Sequence, residues 1–186
     1  MNDEEIINEL DNFIPKWFAI YTKSKSEKKV YEQLIKNGFE SYLPLKRELK
    51  EWSDRNKIIE TPLFTSYVFV KVTTKDYYKI PPLIVGFLRF AQIGKNKIAI
   101  RENEIETIKL VLQLKAIEIE SNNEKLESSE KIEIIKGLLK GKEGFLVEIR
   151  GKKRVAIRIE TLEINLLVEI DRRYIKKISE KVLQLD

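Results

Sequence analysis

Cysteine is absent from this sequence, so disulfides, thiolate metal sites and a thiol nucleophile are all excluded. Histidine is absent too, which removes the side chain most often used near neutral pH as a general base and as a metal ligand. An all-oxygen metal site or a carboxylate pair would remain open to an enzyme. The acids, however, fall mostly on predicted helix faces or in one unpatterned stretch, and no Gly-rich phosphate loop of the Walker type occurs. We therefore expect no enzyme, no metal and no cofactor. No apolar run approaches the roughly 20 residues that span a bilayer. The acidic start MNDEEIINELDNF lacks the basic region and apolar core of a secretory signal. The expectation is a cytoplasmic protein without membrane contact.

Charge is plentiful and unevenly placed. Residues 1–15 hold five acids and no base, residues 16–115 hold 20 bases against 11 acids, residues 116–130 hold one base and five acids, and residues 131–178 hold 13 bases against 7 acids. Two basic blocks around an acidic stretch predict two domains that each face a polyanion or an acidic protein surface. A solvated lysine-rich surface would read the same way.

Residues 1–15 read as an acidic tail. Trp17 to Tyr21 predicts an apolar strand. Ser24 to Lys36 turns helical, with Glu27, Val30, Tyr31 and Leu34 at a 3.6-residue period, Ser26 as N-cap and Asn37-Gly38 as the stop. Phe39 to Leu49 alternates loosely, and Pro44 suits a sheet edge or a bend. Lys50 to Lys57 reads as a hairpin tip, and Leu63 to Val72 is the strongest strand, rich in Tyr, Phe and Val. Thr74 to Ile80 is a short helix ended by Pro81-Pro82. A strand over Phe87 to Phe90, a turn at Gly94 to Asn96 and a brief strand to Ile100 follow. Glu102 to Lys115 is helical, with acids early and lysines late as the helix dipole favours. This order predicts an α/β sandwich over residues 16–117, an antiparallel sheet flanked by helices.

Residues 118–130, rich in Glu, Ser and Asn, read as a linker. Beyond them the period becomes two, in Ile132/Ile134, Phe145/Val147/Ile149, Val155/Ile157/Ile159 and Leu166/Val168/Ile170. Gly137, Gly141, Gly144 and Gly151 punctuate the run. Residues 131–178 therefore predict a small β-barrel, with 179–186 as a tail, and the whole chain is of α+β class. The β-branched residues alternate with polar ones, so a helix would scatter them around its circumference. Each glycine would also cost a helix interior about 1 kcal/mol relative to Ala. The segment is expected as strand, not as a helical hairpin.

The blocks WFAIYTKSKSEKKV and PLFTSYVFV, with the glycine spacing of KGLLKGKEGFLVEI, resemble NusG-type transcription elongation and antitermination factors. Those factors join an N-terminal NGN domain to a C-terminal, SH3-like KOW barrel. The resemblance covers about residues 16–178. WSDRNK and EIRGKKRVAIRIETL look most like the specialised UpxY-type antiterminators of surface-polysaccharide operons. Two departures stand out: Thr65-Ser66 replaces the usual Pro-Gly, and Leu138 replaces the proline after Gly137.

The resemblance implies a monomeric factor that binds RNA polymerase at its clamp helices and increases processivity. The aromatic and apolar set Tyr21, Phe64, Tyr67, Ile84 and Phe90 reads from spacing alone as core. The resemblance instead implies that Tyr21, Phe64, Thr65, Ile84 and Phe90 belong to an exposed patch holding the clamp helices. Lys23, Lys25, Lys28 and Lys29 are either a solvated helix face or a contact with the non-template DNA strand. Trp52, Arg55 and Lys57 on the hairpin are further nucleic-acid candidates. Gly137, Gly141 and Gly144 are the KOW motif, and the basic run Arg150 to Arg154 is open to RNA, a ribosomal protein or solvent. Rho or a small-subunit ribosomal protein is the implied partner of the KOW domain. The competing reading, a ribosomal or rRNA-binding KOW protein, leaves the aromatic N-terminal half unexplained.

Overall fold

The structure, a computed structural model, describes residues 13–51, 56–93, 96–114, 120–122, 130–149 and 152–178. Its contacts divide the chain into two compact units, Met1–Glu106 and Thr107–Asp186. Among the described residues, no helix is long and apolar enough to cross a membrane.

The first unit is built on an antiparallel sheet of β1 (Lys16–Thr22), β2 (Glu40–Tyr42), β5 (Tyr67–Val72) and β6 (Phe87–Phe90), in the order β2-β5-β1-β6. β1 and β5 are central, which is why both read as nearly continuous apolar runs: a strand covered on both faces has no polar side. Phe18 and Ile20 of β1 join Val68, Val70 and Val72 of β5 in one core cluster. Helix α1 (Glu27–Lys36) contributes Val30 and Leu34 to the same cluster, both fully buried. Ser26 stands at its N-cap without a side-chain cap bond, and Gly38 ends it in the left-handed region at φ +79°. Two short helices, α2 (Thr74–Tyr77) and α3 (Ile80–Leu83), bring Tyr77 and Ile80 to the core.

β3 (Leu45–Glu51) and β4 (Asn56–Pro62) form a separate two-stranded ribbon, as the hairpin reading expects. Pro44 lies at the bend between β2 and β3, and its carbonyl accepts the Leu63 N–H at 2.8 Å. β7 (Gln92–Ile93) and β8 (Asn96–Lys97) make a small hairpin, and Ile100 bridges to Trp17. Helix α4 (Glu102–Gln113) begins with Glu104 reaching back to the Arg101 N–H at 3.0 Å, satisfying a donor the helix leaves open. Glu102 accepts from the Trp17 indole at 3.0 Å and pairs with Lys71 at 3.1 Å. Lys115, expected in the last turn, lies outside the described residues.

After α4 the second unit is strand, as the β-branched pattern requires, interrupted by two single 3-10 turns at Glu160–Leu162 and Arg172–Tyr174. It is an antiparallel sheet of β9 (Glu120–Asn122), β10 (Glu130–Ile134), β11 (Glu143–Ile149), β12 (Lys152–Ile159), β13 (Ile164–Val168) and β14 (Ile175–Lys177), in the order β14-β10-β11-β12-β13-β9. A closed barrel is not what the described residues form. The outer strands β9 and β14 are three residues each and do not pair with one another, so the sheet stays open. β9 falls inside the stretch read as a linker. Three ladder pairs and two polar contacts hold it: Arg154 to Glu120 at 3.0 Å and Asn165 to Asn122 at 3.0 Å. β13 is buried at all five positions, so a two-residue period understates how much of it is covered.

Candidate protein and nucleic-acid interface

The loop between the ribbon and β5 sets the geometry. Leu63 and Phe64 turn inward, Thr65 is exposed, and Ser66 takes φ +65°. The Tyr67 N–H closes the turn on the Phe64 carbonyl at 3.3 Å, and the Ser66 carbonyl accepts the Thr22 N–H at 2.8 Å. Ser66 therefore occupies the glycine position of a turn that needs positive φ. The Ser66 N–H donates to the Glu27 carboxylate at 2.7 Å, and Glu27 is only 5% exposed. A short, charge-assisted bond from the first turn of α1 holds a conformation that serine does not favour by itself. The turn forms without Pro-Gly, and although spacing puts Glu27 on the periodic face of the helix, its bond to this turn is what the sequence reading missed.

Beyond this turn, Tyr67 on β5, Tyr21 on β1 and Arg89 on β6 lie side by side in the ladder. The two rings meet edge to face with centroids 5.2 Å apart, and the Arg89 guanidinium sits 5.2 Å from the Tyr21 centroid. Both tyrosines are half-buried and Arg89 is exposed. Burial, then Tyr21, pushes the Tyr67 phenol up, against the opposing charge of Arg89. The Tyr67 phenol is therefore a neutral donor at physiological pH. This row is an amphipathic surface with a cation at one end.

Three residues assigned to an exposed patch are core. Phe64 is 2% exposed, Ile84 4% and Phe90 4%. Phe64 packs edge-on against Phe69, and Phe90 stacks on Tyr77 at 3.7 Å. The cause for Phe90 is register: it pairs with Ile20, whose side chain belongs to the core cluster, whereas its neighbour Arg89 pairs with Tyr21 on the other face. The exposed apolar side chains nearby are Leu83, Val85 and Leu88. Val85 is tied to α1 by paired bonds to the Gln33 amide, both 2.9 Å, and Gly86 accepts the Lys23 N–H at 2.9 Å.

The lysines divide. Lys23, Lys25 and Lys29 are exposed and make no side-chain hydrogen bond or ion pair among the described residues. Lys25 sits in the turn before α1 at φ +58°. Lys28 is also exposed, but its ammonium donates to the Glu60 carbonyl at 2.9 Å and braces the β3–β4 ribbon against α1. Lys57 is exposed, while Trp52 and Arg55 lie outside the described residues.

In the second unit Gly137 and Gly141 have φ +84° and +81°, flanking a tight turn, so the motif turns without proline at 138. Gly144 serves differently. A Cβ there would stand 2.8 Å from the Ala156 carbonyl oxygen and 2.9 Å from a Val155 methyl. Of the basic run 150–154, Arg150 and Gly151 lie outside the described residues, Lys153 is exposed and Arg154 is 4% exposed against Glu120. Arg154 is thus a structural cation and not available to RNA.

The family model for the transcription termination factor NusG matches residues 15–109. The transcription termination/antitermination proteins NusG of Streptococcus pyogenes serotypes M3 and M1 are 27% identical to this chain, over 77% of its length and 86% of theirs. A solved structure, "Domain interaction in Thermotoga maritima NusG", is similar in fold. It has a TM-score of 0.58 at 19% identity, covering 90% of this chain and 99% of the other.

Proposed function

The chain belongs to the NusG family of transcription termination and antitermination factors, and on that premise we propose that it binds the clamp helices of RNA polymerase through the Tyr67–Tyr21–Arg89 row. The observation that carries this reading is the row itself: two half-buried rings and an exposed guanidinium in one ladder, beside exposed Thr65. Aromatic and arginine side chains already held rigidly lose little entropy on binding, and they supply affinity by leaving water against an apolar helix face. Phe64 acts from beneath by packing the loop that presents Thr65. The similarity of WSDRNK and EIRGKKRVAIRIETL to UpxY-type factors supports a specialised role on polysaccharide-type operons. The partner of the C-terminal unit, on the same resemblance, is Rho or a small-subunit ribosomal protein.

The test is titration of core RNA polymerase with the full chain. Tyr21→Ala and Tyr67→Ala are each expected to weaken binding about tenfold, ~1.4 kcal/mol. Circular dichroism confirms the fold of each variant. Unchanged affinity in the folded double variant would sink the assignment. Phe64→Ala is uninformative here, because removing a buried ring unfolds the loop before it reports on a surface.

Lys23, Lys25 and Lys29 would lie against the non-template strand. Changing all three to Gln should leave polymerase affinity intact and reduce photocrosslinking to that strand. The salt dependence should flatten by roughly 0.7 for each single-strand phosphate that is no longer neutralised. Undiminished crosslinking would return these lysines to a solvated face.

A further inference from the structure

We propose that β9 is a latch: it seats on the edge of β13 and leaves it while the rest of the sheet stays folded, and so switches the length of chain between α4 and the sheet. The receiving edge is shaped for it. Arg154 on β12 is 4% exposed and pairs with the Glu120 carboxylate at 3.0 Å. Asn165 on β13 is fully buried, and its amide nitrogen donates to the Asn122 side-chain oxygen at 3.0 Å. The Arg158 guanidinium donates to the Asn165 side-chain oxygen at 3.2 Å, which turns that amide so that its N–H groups face β9. Arg154, Arg158 and Asn165 belong to strands that are also paired with each other, and β12 with β11. The receiver therefore keeps its place whether β9 is seated or not.

Nothing apolar fastens the strand. β9 is Glu-Ser-Asn, and all three residues are half-buried. The other five strands each carry buried or half-buried apolar side chains, among them Ile132, Leu146, Val155, Leu166 and Ile175. β9 joins the sheet on one side, by three ladder pairs to β13. Its release exposes backbone and polar groups that water can take over, and little apolar surface. That is the condition for local opening without global unfolding. Reclosing is specific, because Glu120 and Asn122 stand two residues apart on one face of the strand and match Arg154 and Asn165.

The consequence is a change of reach. Leu114 stands six residues before Glu120 and sixteen before Glu130. A chain spans at most about 3.4 Å per residue, so it enters the sheet within about 20 Å of Leu114 while β9 is seated and within about 54 Å once β9 has left. Where the first unit is held on polymerase, as proposed above, this length sets the volume that the second unit searches and its effective concentration at a partner. The latch itself rests on no part of that reading.

The experiment uses the full chain and two measurements. Hydrogen exchange resolved by residue compares the amides of Glu120–Asn122 with that of Ala156 at the centre of the sheet. In the parent chain the β9 amides should be protected at least about tenfold less than Ala156, as local opening requires. Glu120→Gln, which removes the charge from the bond to Arg154, should speed exchange in β9 by about tenfold and leave Ala156 unchanged. Glu120→Lys sets an ammonium against the Arg154 guanidinium and should abolish protection in β9, again with Ala156 unchanged. For the second measurement, Gln113→Cys and Lys176→Cys place spin labels on a chain that has no other cysteine. The longest distances between the labels should move outward when Glu120→Lys is added. Equal protection of β9 and Ala156 in the parent chain, or loss at Ala156 in step with β9 in either variant, would make β9 an ordinary strand of one cooperative sheet and overturn the proposal. An unchanged distance distribution in Glu120→Lys overturns it as well. Polymerase affinity enters neither measurement, so the outcome is independent of the Tyr67–Tyr21–Arg89 reading.

Discussion

Gly144→Val should destabilise the C-terminal unit by about 3 kcal/mol, the upper end of what overpacking costs. Any side chain at 144 places its first carbon 2.8 Å from a backbone oxygen, Ala156 O, and 2.9 Å from Val155. The oxygen belongs to the β12 ladder, where Ala156 pairs with Phe145 and Leu167, so it cannot move without breaking the centre of the sheet. In a flat sheet the Cβ direction is perpendicular to the strands and open. A carbonyl lying in that direction is a close backbone approach that glycine allows. Hydrogen exchange at Ile132, Phe145 and Ala156 in the full chain reports this unit directly. Protection equal to that of the parent chain would show that the close approach is not needed.

Glu27→Ala should cost about 2–3 kcal/mol in urea unfolding of the N-terminal unit. The carboxylate is buried and accepts the Ser66 N–H at 2.7 Å, so its removal leaves a buried donor facing nothing. Ser66 in the left-handed region already costs about 1–2 kcal/mol, and without the carboxylate the loop Leu63–Ser66 has less reason to keep that conformation. Ser66→Gly in the same background should recover part of the loss, because glycine enters that region freely and loses only about 0.5–1 kcal/mol of chain entropy in return. Glu27→Gln, which keeps an acceptor oxygen, should fall between. Equal stability of Glu27→Ala and the parent chain would remove Glu27 from its place as the support of this turn.

Much of the architecture is legible without coordinates. The apolar run of Trp17–Tyr21 and the apolar stretch Tyr67–Val70 mark the two central strands, because a strand covered on both faces has few polar positions. The strand expected from Leu63 begins only at Tyr67, since residues 63–66 form a turn. The alternation after residue 130 marks strand and not helix, because β-branched residues at a period of two have one common face only in an extended chain. Gly38, Gly137 and Gly141 sit where the chain must turn through positive φ, and all three do so.

What the sequence does not carry is which face a residue takes and what lies opposite it. Phe90 and Arg89 are adjacent, yet one enters the core and the other joins the tyrosine row, and the pairing of β6 with β1 decides between them. Arg154 reads as one cation among five neighbouring residues of a basic run, and only its approach to Glu120, distant along the chain, makes it structural. Glu120–Asn122 has the composition of a linker. It becomes a strand because β13 offers an unpaired edge and Asn165 a matching amide, contacts that local propensity does not encode. The turn at Ser66 is hidden in the same way. Residues 63–72 read as one strand, so the positive φ at Ser66 is not legible locally, and the carboxylate that stabilises it comes from residue 27 and is placed only when α1 packs against the sheet.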